Sequence, residues 1–171
     1  MKMKRIAVFL LLLLSLSLTA CGEKAPTLKE QPKPQVQETA EDKVKVTLYF
    51  GNEQADGLVS EVREIDKPGD MVVALISELT KPGKHAAVLP EGTELVYYQK
   101  EGDTIILNFN KAFANLQGST GEFIAINAVV NTITELPEFN KVMLQVDRQP
   151  LSTGHAIYDK PLTRDESMIK K

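Results

Sequence analysis

The chain has 171 residues, with 20 Lys and Arg against 23 Asp and Glu for a formal charge of −3. That length supports one domain with a real core plus a tail, and the acidic balance argues against a nucleic-acid binder or a protein held to anionic lipid by charge. The absence of Trp and the 6% aromatic content leave little from which to build a sugar-stacking platform.

Residues 1–5 carry Lys2, Lys4 and Arg5 and no acid, residues 6–14 are an unbroken apolar run, and Leu18, Thr19, Ala20 and Cys21 follow. Basic start, apolar core and small residues form the order of a secretory signal. The last four residues resemble the lipobox of bacterial lipoprotein signal peptides. The run is shorter than the ~20 apolar residues a transmembrane helix needs. The resemblance implies cleavage between Ala20 and Cys21, a diacylglyceryl group on the Cys21 sulfur, and a membrane anchor on the extracytoplasmic face. Cys21 is the only cysteine, so no disulfide within the chain is available. Removal of residues 1–20 takes away three basic residues and no acid, moving the formal charge from −3 to −6.

Residues 22–43 contain three prolines, alternating charges and almost nothing apolar. Such a stretch cannot bury enough surface to offset ordering and reads, with Cys21, as a tether. At ~3.1 Å per residue it reaches about 70 Å when extended. A folded domain is expected over residues 44–160. Val44, Val46, Leu48 and Phe50 alternate with polar or half-polar residues, the signature of a half-buried strand. Residues 52–67 read as a long connection with an extended piece at 58–65. Asp70 is a plausible N-cap for a helix with Val72, Leu75, Ile76 and Leu79 on one face, stopped at Pro82-Gly83. Residues 95–100 and 104–109 form a hairpin, and residues 110–113 suggest one short helical turn. Ser119 and Glu122 have capping-box spacing before a second helix whose stripe is Phe123, Ile126, Val129, Val130, Ile133 and Leu136. Residues 141–146 are a final alternating strand, Gln149-Pro150 a turn, and residues 156–158 a short edge strand. Residues 161–171 are expected to fray. Strand, helix, hairpin, helix and strand give an α/β two-layer sandwich: a mixed sheet of about four strands with two helices on one face.

Convergent chemistry is sparse. His85 and His155 are the only histidines, both in predicted loops and without ligand neighbours at i+2 or i+4, so no metal site is expected. No serine sits in a Gly-x-Ser-x-Gly elbow, and no phosphate or calcium loop is present. No catalytic residue and no cofactor are assigned. Glu91, Glu94 and Asp103 read as solvated turn acids. The one cluster that suggests recognition is Glu61, Arg63 and Glu64, either a strand with paired surface charges or an Arg-centred docking surface.

Leu48-Tyr49-Phe50-Gly51-Asn52, Leu58-Val59 and Glu61-Val62-Arg63-Glu64-Ile65 resemble the opening of the sporulation and spore germination domain called GerMN. The likeness continues through residues 75–80 and 89–93, Asn108-Phe109, residues 128–134 and residues 142–147, covering about residues 44–151. Two turns depart from the family pattern: Pro82-Gly83 where Gly-Pro is usual, and Asp147-Arg148 where Asp-Gly is frequent. The resemblance implies an exported, lipid-anchored α/β domain of Gram-positive bacteria, linked to sporulation, germination and the cell wall and similar to ring-building envelope modules. It carries over no catalytic residues. The expected role is non-enzymatic scaffolding or docking onto an envelope protein or peptidoglycan, with no nucleic acid and with oligomerisation left open. The competing readings are a peptidoglycan hydrolase or its accessory, and a solute-binding lipoprotein, which normally needs two lobes.

Overall fold

The alternation at residues 44–50 does become a strand, but its partner is the next stretch of chain. The structure, a computed structural model, describes residues 42–170; Ala20, Cys21 and the tether up to residue 41 lie outside them. Strand β1 (Lys43–Gly51) and strand β2 (Leu58–Asp66) pair antiparallel from Lys43 opposite Asp66 to Gly51 opposite Leu58. The extended piece within the expected connection is therefore a full strand. Asn52 makes the reversal: its side-chain oxygen accepts the N–H groups of Asp56 and Gly57 at 3.0 and 3.2 Å. Gly57 has no room for a side chain, since a Cβ there would lie 2.8 Å from the Met168 carbonyl oxygen.

Helix α1 (Met71–Leu79) starts as its sequence predicts. The Asp70 carboxylate accepts the Val73 N–H at 3.1 Å, and Val72, Leu75, Ile76 and Leu79 are buried. Strands β3 (Leu95–Glu101) and β4 (Thr104–Phe109) form the expected hairpin. A 3₁₀ turn at Lys111–Ala114 follows, then helix α2 (Gly118–Ile133) and strand β5 (Lys141–Val146). Strand β5 lies parallel to β4, with Ile105, Leu107 and Phe109 opposite Val142, Leu144 and Val146. Strands β6 (Gln149–Ser152) and β7 (Ile157–Tyr158) extend the sheet in the order β3-β4-β5-β6-β7, and β8 (Leu162–Thr163) adds to the other end of β5. The fold is thus mixed α/β with two helices and a mixed sheet, while β1 and β2 form a separate two-stranded sheet.

Three local expectations for α2 and the C-terminal segment change. The capping box does not form: α2 begins at Gly118 behind Gln117, without a side-chain cap, and Glu122 is buried at 3% exposure inside the helix. The single apolar stripe on α2 is instead burial on nearly every side from Ile124 to Ile133, while Phe123 is half-exposed. The helix packs against β1, β2, β5, β8 and α1 together, so even Asn127, Asn131 and Thr132 are buried. Finally, residues 161–170 are ordered. They carry β8 and a 3₁₀ turn at Glu166–Met168, with Met168 in the core. The clasp is polar: Asn131 donates to the Asp165 carbonyl and accepts the Asp165 N–H, both at 2.9 Å. Short-range periodicity cannot see a strap whose partner lies 34 residues away.

The turn expected at Gln149-Pro150 falls two residues earlier. Asp147 and Arg148 join β5 to β6 with φ of 51° and 65°, the doubly left-handed conformation of a two-residue hairpin turn. The buried Asn108 side chain accepts the Arg148 N–H at 2.7 Å. A left-handed non-glycine residue costs about 1–2 kcal/mol. Glycine forgoes that strain but loses more chain entropy, and the Arg148 contact over the Tyr97 ring at 5.9 Å is worth about 0.5 kcal/mol on a surface. Arg148→Gly should therefore stabilise by about 0.5 kcal/mol, raising Tm by roughly 2 °C, while Arg148→Ala, which keeps the strain and loses the contact, should lower it. A thermal melt of the two variants reads the opposite signs.

Candidate functional site

Alternation along β2 sorts the three candidate residues onto two faces. Glu61 and Arg63 point inward with Ile65, while Glu64 points outward with Val62, which is 66% exposed, and lies opposite Lys45. Each nitrogen of the Arg63 guanidinium is engaged. It donates from Nε and Nη2 to Glu61 Oε1 at 2.9 and 2.6 Å, and from Nη1 to the Glu78 carboxylate at 2.8 Å and the Glu78 carbonyl at 3.2 Å. It also lies 5.5 Å over the Phe50 ring. The His85 ring stacks on Phe50 with centroids 5.3 Å apart and shares a 2.8 Å hydrogen bond with the second Glu61 oxygen. Lys81 closes the set on Glu78 Oε1 at 2.7 Å. The cluster therefore pins β2 to the last turn of α1 and to the 80–94 connection. Its side chains are only 15–25% exposed, Lys81 apart.

The ionisation of the two acids follows from these contacts. The Arg63 hydrogen bond holds Glu61 below the ordinary carboxylate value against a smaller opposing effect of burial. For Glu78 burial pushes upward, but hydrogen bonds from Lys81 and Arg63 outweigh it and the carboxyl also sits low. A dyad of His85 and Glu61 at one edge of a cleft of about 390 Å³ lined by Gly51, Asn52 and Ala86 is the nearest approach to acid–base chemistry, and Glu61 there is already shared with Arg63. The exposed His155 lies in the turn before β7. Among the described residues no group of three or more His, Cys, Asp and Glu is placed to hold a metal ion. Among them, too, no helix is long and apolar enough to cross a membrane.

Two further polar centres carry no sequence signal, because their members are far apart in the chain. Arg164 donates to the Tyr49 hydroxyl at 2.5 Å and to the Asn131 carbonyl at 2.9 Å, forms an ion pair with Glu135 at 2.9 Å, and stacks 5.0 Å over the Tyr49 ring. The Tyr49 hydroxyl in turn donates to Glu135 at 2.6 Å. Tyr158 donates to the buried Glu122 at 2.6 Å, and burial followed by that carboxylate pushes the Tyr158 phenol up to about 12. Both centres tie the C-terminal segment to α2, and the Arg164 centre ties it to β1 as well. The turn acids differ among themselves: Asp103 binds Lys141 at 3.3 Å, while Glu91 and Glu94 are exposed on the walls of clefts beside Pro90 and Thr93.

This arrangement, two helices and a mixed sheet tied by partnered polar centres, is that of a GerMN-like domain. The family model described as sporulation and spore germination, Germane, matches residues 47–152, and the chain belongs to that family. Its structure is similar to the tandem GerMN domains of the sporulation protein GerM from Bacillus subtilis, with a TM-score of 0.63 and 23% identity over 78% of this chain and 50% of that one. The first GerMN domain of the same protein gives 0.61 and 21% over 71% and 98%. A chain from Clostridium perfringens solved as a candidate lipoprotein gives 0.51 and 28% over 71% and 87%. The chain thus spans about half the length of the tandem-domain structure. No curated protein sequence matches.

Because Glu61 and Glu78 have lowered folded values, the unfolded chain takes up more protons through that window. Their contribution to stability is present above about pH 4.3, the ordinary Glu value, and is lost as pH falls through the lower folded values. Arg63→Met should cost about 2 kcal/mol at pH 7 by leaving two half-buried carboxylates without their cation. It should also flatten the loss of Tm between about pH 5 and pH 3. Urea melts across that range, wild type against variant, check both.

Proposed function

We propose that this is a lipid-anchored envelope protein, attached through Cys21, whose GerMN-like domain works by docking and performs no chemistry of its own. The observation that carries the reading is the use made of the convergent charges. Arg63 with Glu61, Glu78 and His85, and Arg164 with Tyr49 and Glu135, each spend their hydrogen-bonding groups on joining one element to another. Among the described residues, the surfaces that remain open include a sheet edge at β3 and scattered apolar residues such as Val62 and Val96. Membership of a sporulation and germination family supports a role in those processes or in the cell wall, and the likeness to a candidate lipoprotein supports the anchor. The lipobox-like Leu18-Thr19-Ala20-Cys21 supplies the attachment chemistry, since a thioether forms only at the cysteine sulfur.

Wild-type protein should partition into the detergent phase of a membrane extract, and Cys21→Ser should remain as unprocessed precursor or appear in the aqueous phase. Identical processing and partitioning of the two would sink the anchor. Docking without chemistry predicts that the intact protein releases no soluble fragments from peptidoglycan, with or without divalent metal. Release that depends on the protein and disappears in a single-acid variant such as Glu91→Gln would establish a hydrolase instead.

A further inference from the structure

The groove that runs from α1 along the Pro90–Glu94 connection to the outer edge of β3 has the features of a peptide site. The connection walls two adjoining clefts. One, of about 470 Å³, is floored by Leu79, Pro82 and Leu89; the other, of about 260 Å³, lies among Val73, Ile76 and Leu95. Thr93 lines both. It is only 6% exposed, and its hydroxyl oxygen is buried without a hydrogen-bond partner. A buried polar group left unpaired costs about 1–3 kcal/mol, so a ligand that reaches it regains what the free protein forgoes. Glu91 and Glu94 stand exposed on the same wall, and neither carboxylate has a side-chain partner among the described residues. The nearby Lys81 is engaged by Glu78, so the rim is acidic.

Strand β3 bounds the far side. It pairs with β4 alone, so its other edge presents N–H and C=O groups with no partner among the described residues. Natural sheets blunt such edges with charge, proline or a cover because an open edge pairs with another chain. Here a bulge interrupts the register between Leu95, which lines the smaller cleft, and Tyr97, and the intervening Val96 is 60% exposed.

We propose that this groove binds an extended peptide of a partner protein that carries Lys or Arg. The peptide adds as a strand to β3, its apolar side chains enter the two clefts, and its cation sits between Glu91 and Glu94. Backbone pairing supplies the affinity of strand addition, and pockets for alternate side chains supply its specificity. A second copy of this chain fits the charge less well, since the chain itself is net negative at −3. The inference rests on the docking reading and names its partner class.

The test uses the intact lipoprotein in detergent and fluorescence anisotropy. The probe is a labelled ten-residue peptide of alternating Val and Thr with two Lys; controls replace Lys by Glu or N-methylate alternate amides. The Lys peptide should bind, more weakly as salt rises, and both controls should lose at least tenfold in affinity. Glu91→Lys combined with Glu94→Lys should lose as much without a change in Tm, because both residues are exposed. Thr93→Val should raise Tm, by removing the orphan hydroxyl, and weaken peptide binding severalfold. Equal binding of the Lys and Glu peptides, retained binding of the N-methylated peptide, or a Thr93→Val variant unchanged in both readouts would overturn the proposal. So would no peptide binding, whether the edge stays open or is covered by a concentration-dependent dimer seen in sedimentation. Fragment release from peptidoglycan would sink the docking reading while leaving these binding measurements standing on their own.

Discussion

Burying helix α2 on nearly all sides is the constraint on which the rest of the structure depends. A surface helix needs one apolar stripe, but from Ile124 to Ile133 this helix has no solvent face. Every polar side chain along that stretch then needs a partner within the protein. Asn131 is satisfied by the Asp165 backbone and Thr132 by the Tyr49 N–H at 3.1 Å, while Asn127 bonds back to the Phe123 carbonyl. The C-terminal strap is therefore part of the core, because it supplies the backbone that makes a buried Asn tolerable.

The charged networks follow from the same geometry. A helix enclosed by the β1–β2 pair, by α1 and by the main sheet requires those elements to be held together from several directions. Arginine suits the task, since a planar fork with five donors can join two carboxylates and a carbonyl at once. Arg63 does so between β2 and α1, and Arg164 between the strap, α2 and β1. Charge that looks like a recognition patch in one dimension is thereby consumed as internal linkage. Glu64, on the opposite face of β2, escapes this role because strand alternation turns it outward.

The acids on the Pro90–Glu94 connection illustrate the converse. In sequence Glu91 and Glu94 are ordinary turn residues, and nothing in their spacing implies a site. The fold sets them on a groove wall beside a buried, unpaired Thr93 and an unpaired strand edge. A hydroxyl without a partner is visible only once its surroundings are placed, and so is an edge without a neighbour.

Local chemistry determined what the sequence could determine alone. Alternation placed β1, β4 and β5, the Asp70 cap placed α1, and the ordered set of short matches identified the GerMN family, because these signals act within a few residues. The lipobox-like segment is of the same local kind. Tertiary structure decided the pairing of β1 with β2, the enclosure of α2, the docking of residues 161–170, and the capture of Glu122 by Tyr158 in place of a capping box. It also moved the β5–β6 turn onto Asp147 and Arg148, where Asn108, some 40 positions away, accepts the Arg148 N–H. In each case the deciding partner is distant in sequence. Which polar group is buried, and therefore must be paired, depends on packing that no local pattern encodes.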